Sequence, residues 1–258
     1  AMLFAVSGLM GCPVEATDGA VGAVKDFLFD DRSWKIRWMV VDTGDWLPGR
    51  KVLILPSAIA PLQIPPKPRL PMMSPGESLE VSVNLTRQQI EASPEAREDD
   101  PLSRDMEALL YDYYGSDPDW AETNLGENTL VPEAASREAE GIETGPAGDA
   151  HSRSLASVKG YHVHASDGEL GHVENLLADD VSWDIRYLVI ATRSWWPGKI
   201  VRLAPYAVTG VNWVDRQVNL NVTRDQVKSA PAWDPLAMTD EVSEQQLHRH
   251  FGWPGYRG

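Results

Sequence analysis

Apolar and polar positions alternate with a period of two along much of this chain, in short runs bounded by glycine, proline and aspartate. The clearest run has Trp34, Ile36, Trp38 and Val40 alternating with Lys35, Arg37, Met39 and Val41. Its counterpart has Trp183, Ile185, Tyr187 and Val189 alternating with Asp184, Arg186, Leu188 and Ile190. One face is apolar throughout. The other starts charged and turns apolar, which predicts a strand that begins at a rim and runs into a core. Upstream, Val14 to Thr17 and Ala20 to Phe29 flank Asp18-Gly19, a two-residue hairpin signal whose turn positions favour positive φ. Val24, Phe27 and Leu28 would also suit one helical face, but turn residues close on both sides decide for a strand. Further strands are expected at Lys51 to Leu55 and Ile200 to Leu203, closed by Pro56 and Pro205, and at Leu79 to Leu85 and Gln217 to Val222.

The pattern occurs twice. Asp18-Gly19, Trp34 and Pro48-Gly49 recur as Asp167-Gly168, Trp183 and Pro197-Gly198, at a constant offset of 149 (183 − 34). Gly22 and Gly171 follow each hairpin, where glycine permits a bulge. Thr86-Arg87-Gln88-Gln89 and Thr223-Arg224-Asp225-Gln226 read as capping boxes opening short helices, now at an offset of 137 (223 − 86). Second helices are expected at about Ser103 to Tyr114 and Glu241 to Phe251, each stopped by glycine. The first copy thus carries 12 more residues (149 − 137), placed in a Pro-rich surface loop at Ile64 to Glu77. These boundaries predict a first domain at 1–116, an acidic Gly/Pro/Ala/Glu linker at 117–157 and a second domain at 158–258. Leu125, Leu130 and Val131 are the expected contact points of the linker. Short strands joined by tight turns predict a mainly β fold of two small antiparallel barrels, each followed by short helices, with closure removing exposed edges.

Composition narrows the function. The net charge is −15, with 38 acidic and 23 basic residues, which disfavours nucleic acid and anionic lipid as partners. Cys12 is the single cysteine, so no disulfide forms within the chain, in keeping with a cytoplasmic setting. The second copy has Tyr161 at that place, which leaves the thiol outside the shared design. No apolar run approaches the roughly 20 residues of a membrane span. The apolar start, Met2 to Met10, lacks the basic flank of a secretory signal.

The ordered set Asp18-Gly19, Gly22, Asp30, Trp34, Ile36-Arg37, Val41-Asp42-Thr43-Gly44, Trp46-Leu47-Pro48-Gly49 and Lys51-Val52 resembles a PRC-barrel domain. The helix ending Leu110-Tyr111-Asp112-Tyr113-Tyr114-Gly115 resembles the tail that often follows it in bacterial proteins, and 160–205 with His250-Phe251-Gly252-Trp253-Pro254 resembles the same pattern more divergently. The family includes the cytoplasmic domain of the photosynthetic reaction-centre H subunit and the C-terminal domain of a ribosome maturation factor. The resemblance implies a PRC-type barrel that acts as a docking module without chemistry of its own. It also raises the alternative of a peripheral factor for a photosynthetic or electron-transfer membrane complex.

Candidate chemistry is sparse. No nucleophile elbow and no Gly-rich phosphate loop is present, so no catalytic residue and no cofactor is assigned. His162 and His164 lie two apart and would share a strand face, with His172 across the hairpin on the opposite face. Two histidines begin a metal site but do not complete one; the expectation is no metal, with His162 and His164 the nearest candidates. Arg37 and Arg186 recur beside aromatic residues. Each is read as a structural arginine, stacked on tryptophan or paired with Asp30 or Asp179, or alternatively as a partner contact. Trp46, Trp195 and Trp196 sit at turns, where exposed aromatics would anchor an interface and folded-in ones would plug a core. The expected function is a non-enzymatic interaction or assembly module that binds a protein partner or a second copy of itself. A small-ligand sensor or enzyme using a cleft between the two domains is the further alternative.

Overall fold

A computed structural model describes residues 2–63, 79–97, 102–116, 151–192, 199–231, 233 and 241–255. In the first half the strands are β1 (Leu3–Ala5), β2 (Pro13–Ala16), β3 (Gly19–Asp30), β4 (Lys35–Asp42), β5 (Arg50–Ile54), β6 (Val81–Ser82) and β7 (Ala96–Arg97), with helices α1 (Arg87–Glu91) and α2 (Arg104–Tyr114). In the second they are β8 (Ser152–Ser154), β9 (His162–Ala165), β10 (Gly168–Asp179), β11 (Ile185–Ala191), β12 (Ile200–Leu203), β13 (Val208–Asn212) and β14 (Gln217–Leu220), with α3 (Leu155–Val158), α4 (Arg224–Lys228) and α5 (Glu241–Phe251).

The expected closed antiparallel barrels do not form. Each half is an open, mixed sheet of seven strands, six of them ordered β6-β2-β3-β4-β5-β7 in one and β12-β11-β10-β9-β14-β13 in the other, with the seventh, β8 or β1, paired on β3 or β10. β2 pairs with β6, and β9 with β14, in parallel. Hairpins alone give only antiparallel neighbours, whereas the chain here turns through short 3₁₀ segments at Pro56–Ala58 and Pro205–Ala207 and crosses over before its last strand. In the first half the edge of β5 is covered by β7. The Pro-rich stretch and the expected linker contacts Leu125, Leu130 and Val131 lie outside the described residues.

The two halves interlock by exchanging strands. β1 adds to β10 with Leu3 opposite Asp179 and Ala5 opposite Leu177. β8 adds to β3 with Ser152 opposite Asp30 and Ser154 opposite Leu28. Every one of these positions maps onto its counterpart at the offset of 149 (152 − 3 and 179 − 30), so the halves are related by a pseudo-twofold. The last residues of the stretch expected to be linker therefore form part of the sheet. Lys35 and Asp184, themselves 149 apart, bridge each other at the centre. There the Ile36 N–H donates to Trp183 O at 2.9 Å and the Ile185 N–H to Trp34 O at 2.7 Å. Trp34 and Trp183 hold φ of +55° and +59°, a conformation that costs a non-glycine residue about 1–2 kcal/mol. The turn bonds from their N–H groups to Asp30 O and Asp179 O, and the central bonds they accept, offset that cost.

One apolar core runs through both halves, containing Phe4, Phe27, Phe29 and Ile36 beside Trp183, Leu188 and Ile190. The other face of each sheet is covered by a helix. Trp38, Val40 and Leu53 pack under Leu110 and Tyr111 of α2, while Tyr187, Val189 and Ala204 pack under Leu247 of α5.

β3 and β10 are twelve residues long and carry bulges at matching places. One bulge places Arg37 between the pairs Leu28–Trp38 and Phe29–Ile36. The extra residue breaks the alternation, so Ile36 faces the central core and Trp38 the helix, although the period of two had set them on one face. Thr17 and Asp18 form the hairpin loop, and the positive φ falls on Gly19 (+140°), with Asp18 in ordinary conformation. The Asp18 carboxylate instead accepts the Arg87 N–H at 2.7 Å, and Asp167 accepts that of Arg224 at 2.9 Å, tying each hairpin to the start of α1 or α4. Both expected capping boxes are present.

Candidate functional site

The recurring arginines occupy the bulges. Arg37 is 6% exposed, and its guanidinium donates to Asp30 Oδ2 at 3.1 Å and to the Tyr111 hydroxyl at 3.4 Å. Arg186 donates to Asp179 at 2.9 Å. Burial alone would raise the pKa of Asp30, but the Ser33 amide, the Arg37 charge and the Arg32 amide outweigh it and hold the carboxyl below its usual range. Asp179 is lowered in the same way, against burial, by the Ser182 and Val181 amides and Arg186. The first pair lies against α2 through Tyr111.

Beside them the copies diverge. The Trp38 indole N–H donates to Glu107 at 3.0 Å, and burial pushes the Glu107 carboxyl up despite that bond and the nearby Arg37 charge. In the second half Tyr187 meets His248 Nε2 at 2.9 Å, while His248 Nδ1 lies 2.6 Å from the Pro254 carbonyl. A carbonyl only accepts, so Nδ1 carries the proton, and in the neutral ring Nε2 accepts from the Tyr187 hydroxyl.

Trp46 is half-buried, with the Arg87 guanidinium 4.5 Å above its ring. Trp195 and Trp196 lie outside the described residues. His162 is well exposed, and His164 is half-buried on the same strand. A bulge at Leu170 brings His172 directly opposite His162, which places it on the same face and not the opposite one. Their nearest carboxylates are Glu169, 3.6 Å from His162, and Glu174, 3.4 Å from His172. Among the described residues no three His, Cys, Asp or Glu side chains converge on a point that could hold a metal ion. Burial raises the pKa of the Cys12 thiol, which lowers its thiolate fraction.

A cleft of about 600 Å³ lies beside the pseudo-twofold. One wall is the first half's Asp31-Arg32-Ser33-Trp34 turn; the other is Asp184, Tyr206 and the strand β13 with Thr209, Gly210 and Val211. Trp213 closes it and reaches Phe29 of the first half, ring centroids 6.4 Å apart. Behind this wall Arg153, on the exchanged strand β8, lies 4.5 Å over the Trp213 ring and donates to Asp31 at 2.9 Å. His151 Nδ1 also sits 3.1 Å from Asp31. The cleft thus combines three aromatic rings, two carboxylates, one arginine and a sheet edge.

Of these cleft residues Trp34 stood out in the sequence, as a recurring position; those of β13 did not. Val208-Thr209-Gly210-Val211-Asn212-Trp213 falls where the first copy has its Pro-rich stretch, so the repeat does not mark it. The β-branched residues before the Asn212-to-Asp215 turn were the available sign of a strand there. No family model matches this chain, and no curated protein matches it.

Proposed function

We propose that this protein is a non-enzymatic docking module whose two interlocked repeats form one rigid body and present the inter-repeat cleft to a protein partner. The observation that carries this reading is the cleft itself: an aromatic-lined groove bordered by a sheet edge, held open by a reciprocal strand exchange. Aromatic side chains in a partly dehydrated groove are the usual anchors of protein interfaces. The recurring polar residues support it from behind, since Arg37 and Arg186 are engaged with Asp30 and Asp179 inside the fold. The likeness to PRC-barrel domains belongs to this proposal on the strength of the ordered residue set alone, without a closed barrel. A cytoplasmic setting is proposed with it; among the described residues no helix is long and apolar enough to cross a membrane.

The reading is tested with a photo-crosslinking amino acid at Thr209, compared with one at Asp112 on the outer surface of α2. A defined protein adduct from Thr209, absent from Asp112, supports the cleft as the docking surface. Identical adducts from both positions, or none from Thr209, contradict it.

A further inference from the structure

The chemistry of the cleft narrows the partner further. β13 ends the sheet order, and among the described residues β14 is its one neighbour. Its five residues offer a run of roughly 17 Å along which alternate N–H and C=O groups point away from β14. That free edge borders the cleft at Thr209, Gly210 and Val211. This fold already recognises short extended segments by adding them to an edge, as β1 on β10 and β8 on β3 show. One of those added strands supplies a cation. Arg153 of β8 places its guanidinium between the Asp31 carboxylate and the face of Trp213. On the open side Asp184, which lies opposite Lys35, lines the cleft together with Trp34 and Tyr206, and Tyr206 is 43% exposed. A carboxylate next to aromatic faces attracts ammonium and guanidinium groups. The chain's net charge of −15 draws cationic segments toward it from a distance.

We infer that the cleft binds an extended basic segment of a partner protein, which pairs with the free edge of β13 and sets a lysine or arginine side chain against Asp184 and Tyr206. This assignment rests on the docking reading above and makes it specific. Backbone pairing to β13 supplies affinity that is tolerant of sequence, and the acidic, aromatic wall selects for charge. Arg32 on the opposite wall repels a cation placed beside it, which leaves the Asp184 side as the place for the basic side chain.

The test uses the full chain and a fluorescein-labelled peptide, Val-Lys-Val-Arg-Val-Lys, read by fluorescence anisotropy. Two control peptides replace the basic residues by glutamate or carry N-methyl groups on alternate amides. The basic peptide binds, binding weakens with salt, and both controls bind about tenfold or more weakly. Gly210→Trp fills the groove, and a Cβ at Gly210 meets nothing within 4 Å, so the variant keeps the melting temperature while losing about tenfold or more in affinity. Asp184→Lys loses affinity similarly for the basic peptide and gains it for the glutamate peptide. Equal binding of the glutamate or N-methylated peptide, or unchanged affinity in Gly210→Trp, overturns the inference. If no basic peptide binds while the Thr209 crosslinker still captures a protein, this assignment falls and the docking reading stands. If both fail, the docking reading falls too.

Discussion

Gly22 and Gly171 show how much a single position settles. A Cβ on Gly22 would lie 1.9 Å from the Asp42 carbonyl oxygen, and one on Gly171 2.0 Å from that of Ala191. Backbone, not a flexible side chain, is in the way. Gly22→Ala and Gly171→Ala should each cost about 3 kcal/mol or more in urea unfolding; a change under about 0.5 kcal/mol would mean that the strands do not approach this closely. Charge at the helix-covered faces gives opposite pH signatures. Asp30 and Asp179 have folded pKa values below their unfolded ones. Their stabilisation is complete above roughly pH 4 and is lost as pH falls through the depressed folded values. Glu107, raised by burial, favours the fold at low pH, and that contribution vanishes as pH rises through its folded value. Asp30→Asn should therefore flatten the acid limb of the stability profile, whereas Glu107→Gln, which keeps an oxygen for the Trp38 N–H, should stabilise by on the order of 1 kcal/mol at neutral pH and not at pH below about 4. Thermal melts across pH check both signs. At this scale the sequence displayed the asparagine-free, glycine-bearing turn motif plainly, but not its use: the Asp18 carboxylate serves α1, a contact 69 residues away that periodicity does not encode.

Elements were more legible than their pairing. The hairpins, the capping boxes, the two late helices and the repeat follow from local chemistry: turn residues, a threonine with a glutamine three positions on, a terminating glycine. Sheet closure and register depend on distant partners. A bulge at Arg37 and another at Arg186 move Trp38 and Tyr187 to the helix side, and no pattern of polar and apolar residues announces an inserted residue. The three-residue β1 was equally hidden, because an isolated Leu3-Phe4-Ala5 satisfies its backbone only on β10. Phe4 is 4% exposed, with its ring edge-on to Trp183 at 5.5 Å. Phe4→Ala should cost about 3–5 kcal/mol and lower the melting temperature of the whole chain in a single transition. Loss of under about 1 kcal/mol would show that β1 is not packed as described.

For the whole molecule, the repeat in the sequence pointed to two domains side by side, yet the halves share one core and each completes the other's sheet. The cleft follows from that arrangement, since one wall comes from each half. Its residues were not legible as a site because neither half contains it alone. Separating the halves should accordingly expose Phe4, Phe29 and Trp183 and strip the ends of β3 and β10 of the strands that add to them, conditions under which neither half folds to a stable monomer.

The most direct test of this account is native-state amide hydrogen exchange on the intact chain, comparing Leu3–Ala5 and Ser152–Ser154 with the central amides of Trp38 and Tyr187. If the strand exchange locks the halves into one body, the hydrogen-bonded amides of both exchanged strands open only with the global unfolding that exposes Trp38 and Tyr187. If the exchanged strands lose protection at the rate of a frayed terminus while Trp38 and Tyr187 stay protected, the halves are not interlocked and the cleft between them is not a fixed binding surface.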